Sequence, residues 1–267
     1  MSMKKKPRSA PRRGPKVPGG LEAVYGVHAV QALLARGETP RELWLQEGEA
    51  AGRLSELVER ARARGARVIS HPRDDLDRLA QGAAHQGVVA FCPPLAFEAE
   101  ASLWHRLQGW SNAEAPLLLV LDGITDVHNF GACLRSADAA GAHGVLVPKD
   151  RSAPLNATVR KVACGAAESV PVYQVTNLAR ALGKLKELGV WVTGTAGEAE
   201  ASLYDADFTA ATALVMGAEG KGMRRLTREA CDQLVKLPMA GSVSSLNVSV
   251  ATGIGLFEAI RQRSLKS

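Results

Sequence analysis

Residues 238–263 read PMAGSVSSLNVSVATGIGLFEAIRQR, a Gly/Ser-rich loop that turns helical near Ser245-Leu246-Asn247. Leu246, Val250, Ile254 and Phe257 recur at helical spacing, and Ser244 or Ser245 suits the N-cap. An ordinary buried helix accounts for that apolar stripe. It does not account for Gly253 and Gly255, each costing about 1 kcal/mol relative to Ala inside a helix. Nor does it explain the polar lead-in or the small residues Ser249, Ala251 and Thr252. A helix lined in this way implies that another backbone passes very close to it.

Upstream of this stretch the chain alternates between strand and helix patterns. Strands are expected at Leu117–Leu121, Val145–Val147, Val170–Gln174, Val190–Thr193, Ala213–Met216 and Leu234–Leu237. Helices are expected at Gly131–Ala140, Leu155–Ala163, Leu178–Leu188 and Arg224–Cys231. Near-continuous apolar strands separated by helices predict an α/β domain, its parallel sheet covered on both faces. Ligands of such sheets bind in loops beyond the carboxyl ends of the strands, and the unusual residues fall there. After the first strand come Asn129, suited to a helix N-cap, Gly131, which permits close approach, and Arg135 in the second helical turn. After Ala213–Met216 comes Gly217-Ala-Glu219-Gly220-Lys221-Gly222-Met223, too short and wrongly ended for a phosphate-binding P-loop. Thr193–Glu198 is a third Gly-rich strand end. What remains is a set of loops able to curl around a small molecule, with one carboxylate among them.

The N-terminal half is different. Residues 23–96 alternate helix and strand on a smaller scale and predict a separate α/β domain, and residues 97–115 read as a linker to the domain at 116–267. Residues 1–22 form a basic tail expected to be disordered, with Lys4, Lys5, Lys6, Arg8, Arg12, Arg13 and Lys16 and no acidic residue before position 21. Removing those seven cations from the 33 leaves 26 against 27 acidic residues, so the net charge of +6 belongs to the tail. The tail suits phosphate backbones; the body must bind nucleic acid through local patches.

Four scattered cysteines without a C-x-x-C pair read as reduced thiols, and the six histidines form no ligand spacing, so no metal is implied. No apolar run is long enough to span a bilayer and no secretory signal is visible, which makes a cytoplasmic protein without membrane contact the expectation.

Three motifs in order carry a resemblance. N-x-G-x-x-x-R (Asn129, Gly131, Arg135), G-x-E-G-x-G (Gly217, Glu219, Gly220, Gly222) and P-M-x-G…S-L-N-V-S-V-A (Pro238, Met239, Gly241, Ser245 to Ala251) resemble those of the SPOUT methyltransferases. Within them the chain is similar to the TrmH/SpoU branch, which methylates ribose 2′-hydroxyls. The run LRSADAAG…VPKDRSAPLNATVRKVACGAAESVPV resembles its large-subunit rRNA guanosine-2′-O-methyltransferases. YGVHAV and HQGVVA (Tyr25 to Val30, His85 to Ala90) resemble that type's substrate-binding domain, itself similar to small ribosomal RNA-binding proteins of the L7Ae/L30e kind. The resemblance covers Val24 to Arg263; Val127 departs from it, standing where these enzymes often have proline.

The resemblance implies a deep C-terminal trefoil knot, a homodimer, S-adenosylmethionine (AdoMet) as methyl donor, no metal, and 23S rRNA or its precursor particle as partner. It implies catalytic roles for Arg135, Asn129, Glu219, Ser245 and Asn247, and donor contacts from Gly217, Leu237, Leu246, Thr195, Gly197 and Met239. Arg263, Lys149, Arg151, Arg160 and Lys161 are the candidates for RNA. Two alternatives stand beside it: a tRNA ribose as target, and an RNA-binding assembly protein with an inactive methyltransferase fold.

Overall fold

The computed structural model describes residues 16–48, 52–110 and 115–265, so the basic tail up to residue 15 lies outside the described residues. The chain divides into two compact units, one around β1 and Thr39–Pro93, the other from His28–Glu38 and Pro94 onward.

The first unit holds β1 (Glu22–Tyr25), followed by helix α1 (Val27–Ala35), most of which belongs to the second unit. It continues with β2 (Glu42–Gln46), α2 (Ser55–Ala63), β3 (Arg67–His71), α3 (Arg73–Ala80) and β4 (Val88–Cys92). Its sheet runs β1-β4-β2-β3, with β4 antiparallel to both neighbours and β2 parallel to β3. Trp44, Leu76, Val89 and Phe91 fill one face. The resulting small α/β fold agrees with the sequence expectation, except that His28–Glu38 packs elsewhere. In the second unit, Arg36 donates to the Glu168 carbonyl at 3.0 Å, and Ala29 sits so close to Gly165 that a Cβ there would lie 3.1 Å from the Ala29 Cα.

The second unit begins where a linker was expected. Residues 98–108 instead form β5 (Glu98–Ala99) and α4 (Glu100–Gln108). Leu103, Trp104 and Leu107 of α4 are buried against the large sheet, so the short amphipathic fragment Leu103–Leu107, taken with its polar neighbours for linker, makes this segment part of the fold.

There follow β6 (Leu117–Asp122), α5 (Val127–Ala139), β7 (Gly144–Pro148), α6 (Ala157–Ala163), α7 (Ala166–Ser169), β8 (Val172–Val175), α8 (Leu178–Glu187) and β9 (Trp191–Thr195). The chain ends with β10 (Ala201–Ser202), β11 (Thr212–Gly217), α9 (Arg225–Glu229), β12 (Gln233–Lys236) and α10 (Val248–Ser264). The eight strands run β10-β12-β9-β11-β6-β7-β8-β5, every pair parallel.

The strand LLLVLD explains why both faces are covered. Leu117, Leu119 and Leu121 point into a core shared with α5, α6 and α10, while Leu118 and Val120 point into one shared with α4 and α8. Since alternate side chains enter opposite layers, a strand buried twice must be apolar at every position. Strand β6 lies between β7 and β11, where the strand order reverses, and a crevice opens at the carboxyl edge of such a point.

Candidate active site

The loops beyond β9, β11 and β12, with the first turn of α10, meet at that edge around a cavity of about 430 Å³. This lies within the range of small-molecule sites. Thr195, Gly197, Gly217, Leu237, Met239 and Leu246 all line it, as do Glu219 and Ser245. Gly217 is required by close approach: a Cβ there would lie 2.3 Å from Gly222 C and Met223 N. Gly197 and Gly241 have no atom within 4 Å of such a Cβ, so packing does not demand glycine at either.

At the rim, three residues from distant segments share hydrogen bonds. Asn247 Nδ2 donates to Asn129 Oδ1 at 2.9 Å and to Glu219 Oε1 at 2.7 Å. The same Glu219 oxygen accepts from the Val248 amide at 3.1 Å, tying the β11 loop to the first turn of α10.

Both caps differ from the sequence expectation. Asp126, not Asn129, caps α5 by accepting from the Asn129 amide at 2.8 Å, which frees the Asn129 side chain for Asn247. Asn247, not Ser244 or Ser245, caps α10, its Oδ1 accepting from the Ser249 amide at 2.9 Å. The two serines belong to the coil lining the cavity.

Arg135 is not part of this triad. It sits exposed on the third turn of α5, with Nη1 3.6 Å from Cys164 Sγ. Lys149 and Arg151 are exposed beyond β7 and Lys161 on α6; the Ala153 amide, bonded to the Ile124 carbonyl at 2.8 Å, ties that stretch to the loop after β6.

Two of the residues expected to bind RNA are engaged in the fold. Arg160 is buried and pairs with buried Glu168 at 2.8 Å, their side chains 2% and 1% exposed. Burial pushes the Glu168 carboxyl up to about 7 against the opposing pull of the Arg160 guanidinium. Arg263 donates to the carbonyls of Ala115, Pro116, Phe208 and Ala210, tying the end of α10 to the starts of β6 and β11. Both guanidiniums thus have partners within the protein. A basic residue in a sequence does not reveal whether its partner is inside or outside the protein.

Asp122 and Arg224, bonded to each other beside this loop, were not singled out from the sequence, and neither was the Glu198–Arg228 ion pair on the cavity wall. A carboxylate ending the apolar run LLLVLD was the one available signal.

The thiols offer no nucleophile here. Burial pushes Cys133, packed beneath α10, and Cys231 up to about 11, so both stay protonated at neutral pH. Cys164 alone is exposed. Among the described residues, no group of three or more His, Cys, Asp or Glu is placed to hold a metal ion.

Comparison with known proteins bears on both units. The SpoU rRNA Methylase family matches residues 116–257, more than half of the chain. The chain belongs to this family. A second family, described as RNA 2′-O ribose methyltransferase substrate binding, matches residues 23–98. Among curated relatives, the 23S rRNA (guanosine-2′-O-)-methyltransferase RlmB of Escherichia coli K12 is 56% identical over 244 residues, covering 91% of this chain and 99% of that protein. RlmB of Pseudomonas aeruginosa PAO1 is 59% identical over 243 residues, covering 91% and 97%. The solved SpoU methyltransferase AviRb of Streptomyces viridochromogenes, in complex with the cofactor AdoMet, aligns with a TM-score of 0.72 at 28% identity, covering 92% of this chain and 91% of that one. SpoU family membership thus rests on a match running along the second unit, and the three motifs are only part of it.

Proposed function

We propose that the chain is an AdoMet-dependent methyltransferase that modifies a guanosine ribose 2′-hydroxyl in 23S rRNA, in the peptidyl-transferase-centre P-site loop, during large-subunit maturation. The observation that carries the reading is the Asn129–Asn247–Glu219 hydrogen bonding that joins the three motif loops beside a cavity lined by two of them. The near-full-length similarity to RlmB proteins supports the rRNA guanosine as target.

The cavity fits the donor in size, and its wall at Gly217 is bare backbone, suited to an adenosyl group held by amides and carbonyls. Gly217, Leu237 and Leu246 would hold it chiefly through main chain, with Thr195, Gly197 and Met239 forming the walls. When bound, AdoMet supplies the electrophilic methyl group of its sulfonium.

The chain's own task is to raise the reactivity of a ribose hydroxyl that is barely acidic at neutral pH. Asn129, Glu219 and Asn247 order the loops, and Ser245 faces the space beside them. A guanidinium is no general base in proteins, so Arg135 is not given that task. Its role is to clamp the neighbouring phosphate and stabilise alkoxide character, with that phosphate or a water accepting the proton. The target nucleotide must be splayed from its helix. The first unit, an L7Ae/L30e-like RNA-binding fold, and Lys149, Arg151 and Lys161 hold the surrounding backbone.

The last helix completes a deep trefoil knot, and its apolar outer face forms a homodimer; Val250 and Phe257 are each 51% exposed on it. Localisation is cytoplasmic, where the rRNA partner is assembled. Mass-spectrometric mapping of ribose methylation on 23S rRNA from cells with and without the gene tests the proposal. Loss of one guanosine 2′-O-methyl group in the P-site loop is expected; an unchanged rRNA map overturns it.

A further inference from the structure

The loop that carries Glu219 is fastened at its base by two residues that do not line the cavity. Asp122 ends β6 and pairs in register with Gly217, the last residue of β11. Its side chain is 0% exposed, and it accepts from Arg224 twice: from the backbone amide at 2.8 Å and from Nε at 2.6 Å. Between Gly217 and Arg224 the chain makes a tight turn, closed by reciprocal amide–carbonyl bonds between Ala218 and Gly222 at 3.1 and 2.8 Å. Gly220 and Gly222 take the positive φ values, +72° and +64°, that this turn demands. Glu219 stands on the turn and reaches Asn247 and the Val248 amide. A buried carboxylate held at two points by one arginine thus sets where the turn, and Glu219 on it, can lie.

We propose that Asp122 and Arg224 are positioning residues for methyl transfer, a clasp that holds the Gly217–Met223 loop in the shape that seats the donor and aims Glu219 at Asn247. The proposal rests on the reading of the cavity as the AdoMet site. The clasp acts through the loop: neither residue lines the cavity, so its loss is felt as a loosened wall and a misplaced carboxylate. A displacement of about 1 Å at a reacting site is enough to cost about 100-fold in rate.

The test uses the full chain in four variants: Arg224→Gln, Arg224→Lys, Asp122→Asn and the control Arg225→Gln, which removes an exposed cation paired with Glu229. Hydrogen exchange of residues 217–223, measured without ligand, should quicken about tenfold in Arg224→Gln and less in Arg224→Lys, with β6 and β7 unchanged. AdoMet affinity should weaken about tenfold in Arg224→Gln, the scale of loss seen when groups that orient site residues are removed, and kcat should fall with it. Arg225→Gln should match wild type in all three.

Unchanged loop exchange in a folded Arg224→Gln protein overturns the clasp. So does an equal loss of loop protection and donor affinity in Leu185→Ala, a core variant matched for thermal stability. If Arg224→Gln does not fold, Arg224→Lys and Asp122→Asn decide the matter by the same readouts. Failure of wild type to bind AdoMet would overturn the reading of the cavity, while the ligand-free exchange still judges the clasp.

Discussion

Asn247 uses both ends of its side-chain amide: Nδ2 donates to Asn129 and Glu219, and Oδ1 caps α10. Its two duties can be separated. Asn247→Ala should lower stability by about 1 kcal/mol, the usual cost of a lost N-cap, and abolish methylation. Asn247→Asp keeps a capping oxygen but sets a second carboxylate against Glu219, so it should fold and still fail to methylate. Denaturant unfolding with a methylation assay checks both, and wild-type turnover in either would remove Asn247 from the site. Arg135→Ala should leave the fold intact, since the residue is exposed, and reduce kcat by about 100- to 1,000-fold, the loss typical of removing one charge-stabilising donor. At this scale residue types were easier to read than partners. Asp126 and Asn129 are both good caps three positions apart, and only the path of the loop decides which of them meets the helix amides.

Among elements, α10 shows what periodicity conveys and what it omits. The stripe Leu246, Val250, Ile254, Phe257 has the correct helical period but the wrong phase. The face turned inward is Val248, Thr252, Gly255, Leu256 and Ala259, and Val250 and Phe257 look outward. Small residues escape a hydrophobicity pattern even where they make the closest contacts. The two helix glycines also differ. A Cβ at Gly255 would lie 2.7 Å from Leu214 Cδ2 in β11, whereas one at Gly253 would meet only Ser136 Oγ at 3.6 Å. Gly253→Ala should therefore raise stability by about 1 kcal/mol through helix propensity, and Gly255→Ala should lower Tm. A close neighbour is found at Gly255 alone, and it is the Leu214 side chain rather than the backbone expected from the sequence.

The α6–α7 pair adds a pH dependence. With Glu168 pushed from 4.5 up to about 7, the native chain keeps a proton that the unfolded chain has released between those values. Its contribution is full below the unfolded value and is lost as pH rises through the folded one, by up to about 1.4 kcal/mol per pH unit. Glu168→Gln should flatten that decline in Tm between about pH 5 and pH 7.

For the whole molecule, the parallel sheet and its two covering layers were legible because the central strands β6, β7 and β11 are apolar at nearly every position. The place of His28–Glu38 in the second unit was not, because contacts such as Arg36 with Glu168 span 132 residues and leave no local pattern. The apolar outer face of α10 belongs to this scale too. Phe257→Glu should convert the proposed dimer into a monomer in sedimentation equilibrium, and an unchanged mass would remove that face from the proposed interface. The cavity also has an order of manufacture. Its walls come from residues 195–198, 216–223 and 235–251, made in that sequence during synthesis. A growing chain that has completed β6 through β11 already possesses most of the sheet, yet it lacks Asn247 to receive Glu219 and the coil that roofs the cavity. The proposed enzyme therefore lacks a complete donor cavity until that segment is in place. On the proposed reading, methylating capacity arises only once the segment through residue 251 has been made and seated.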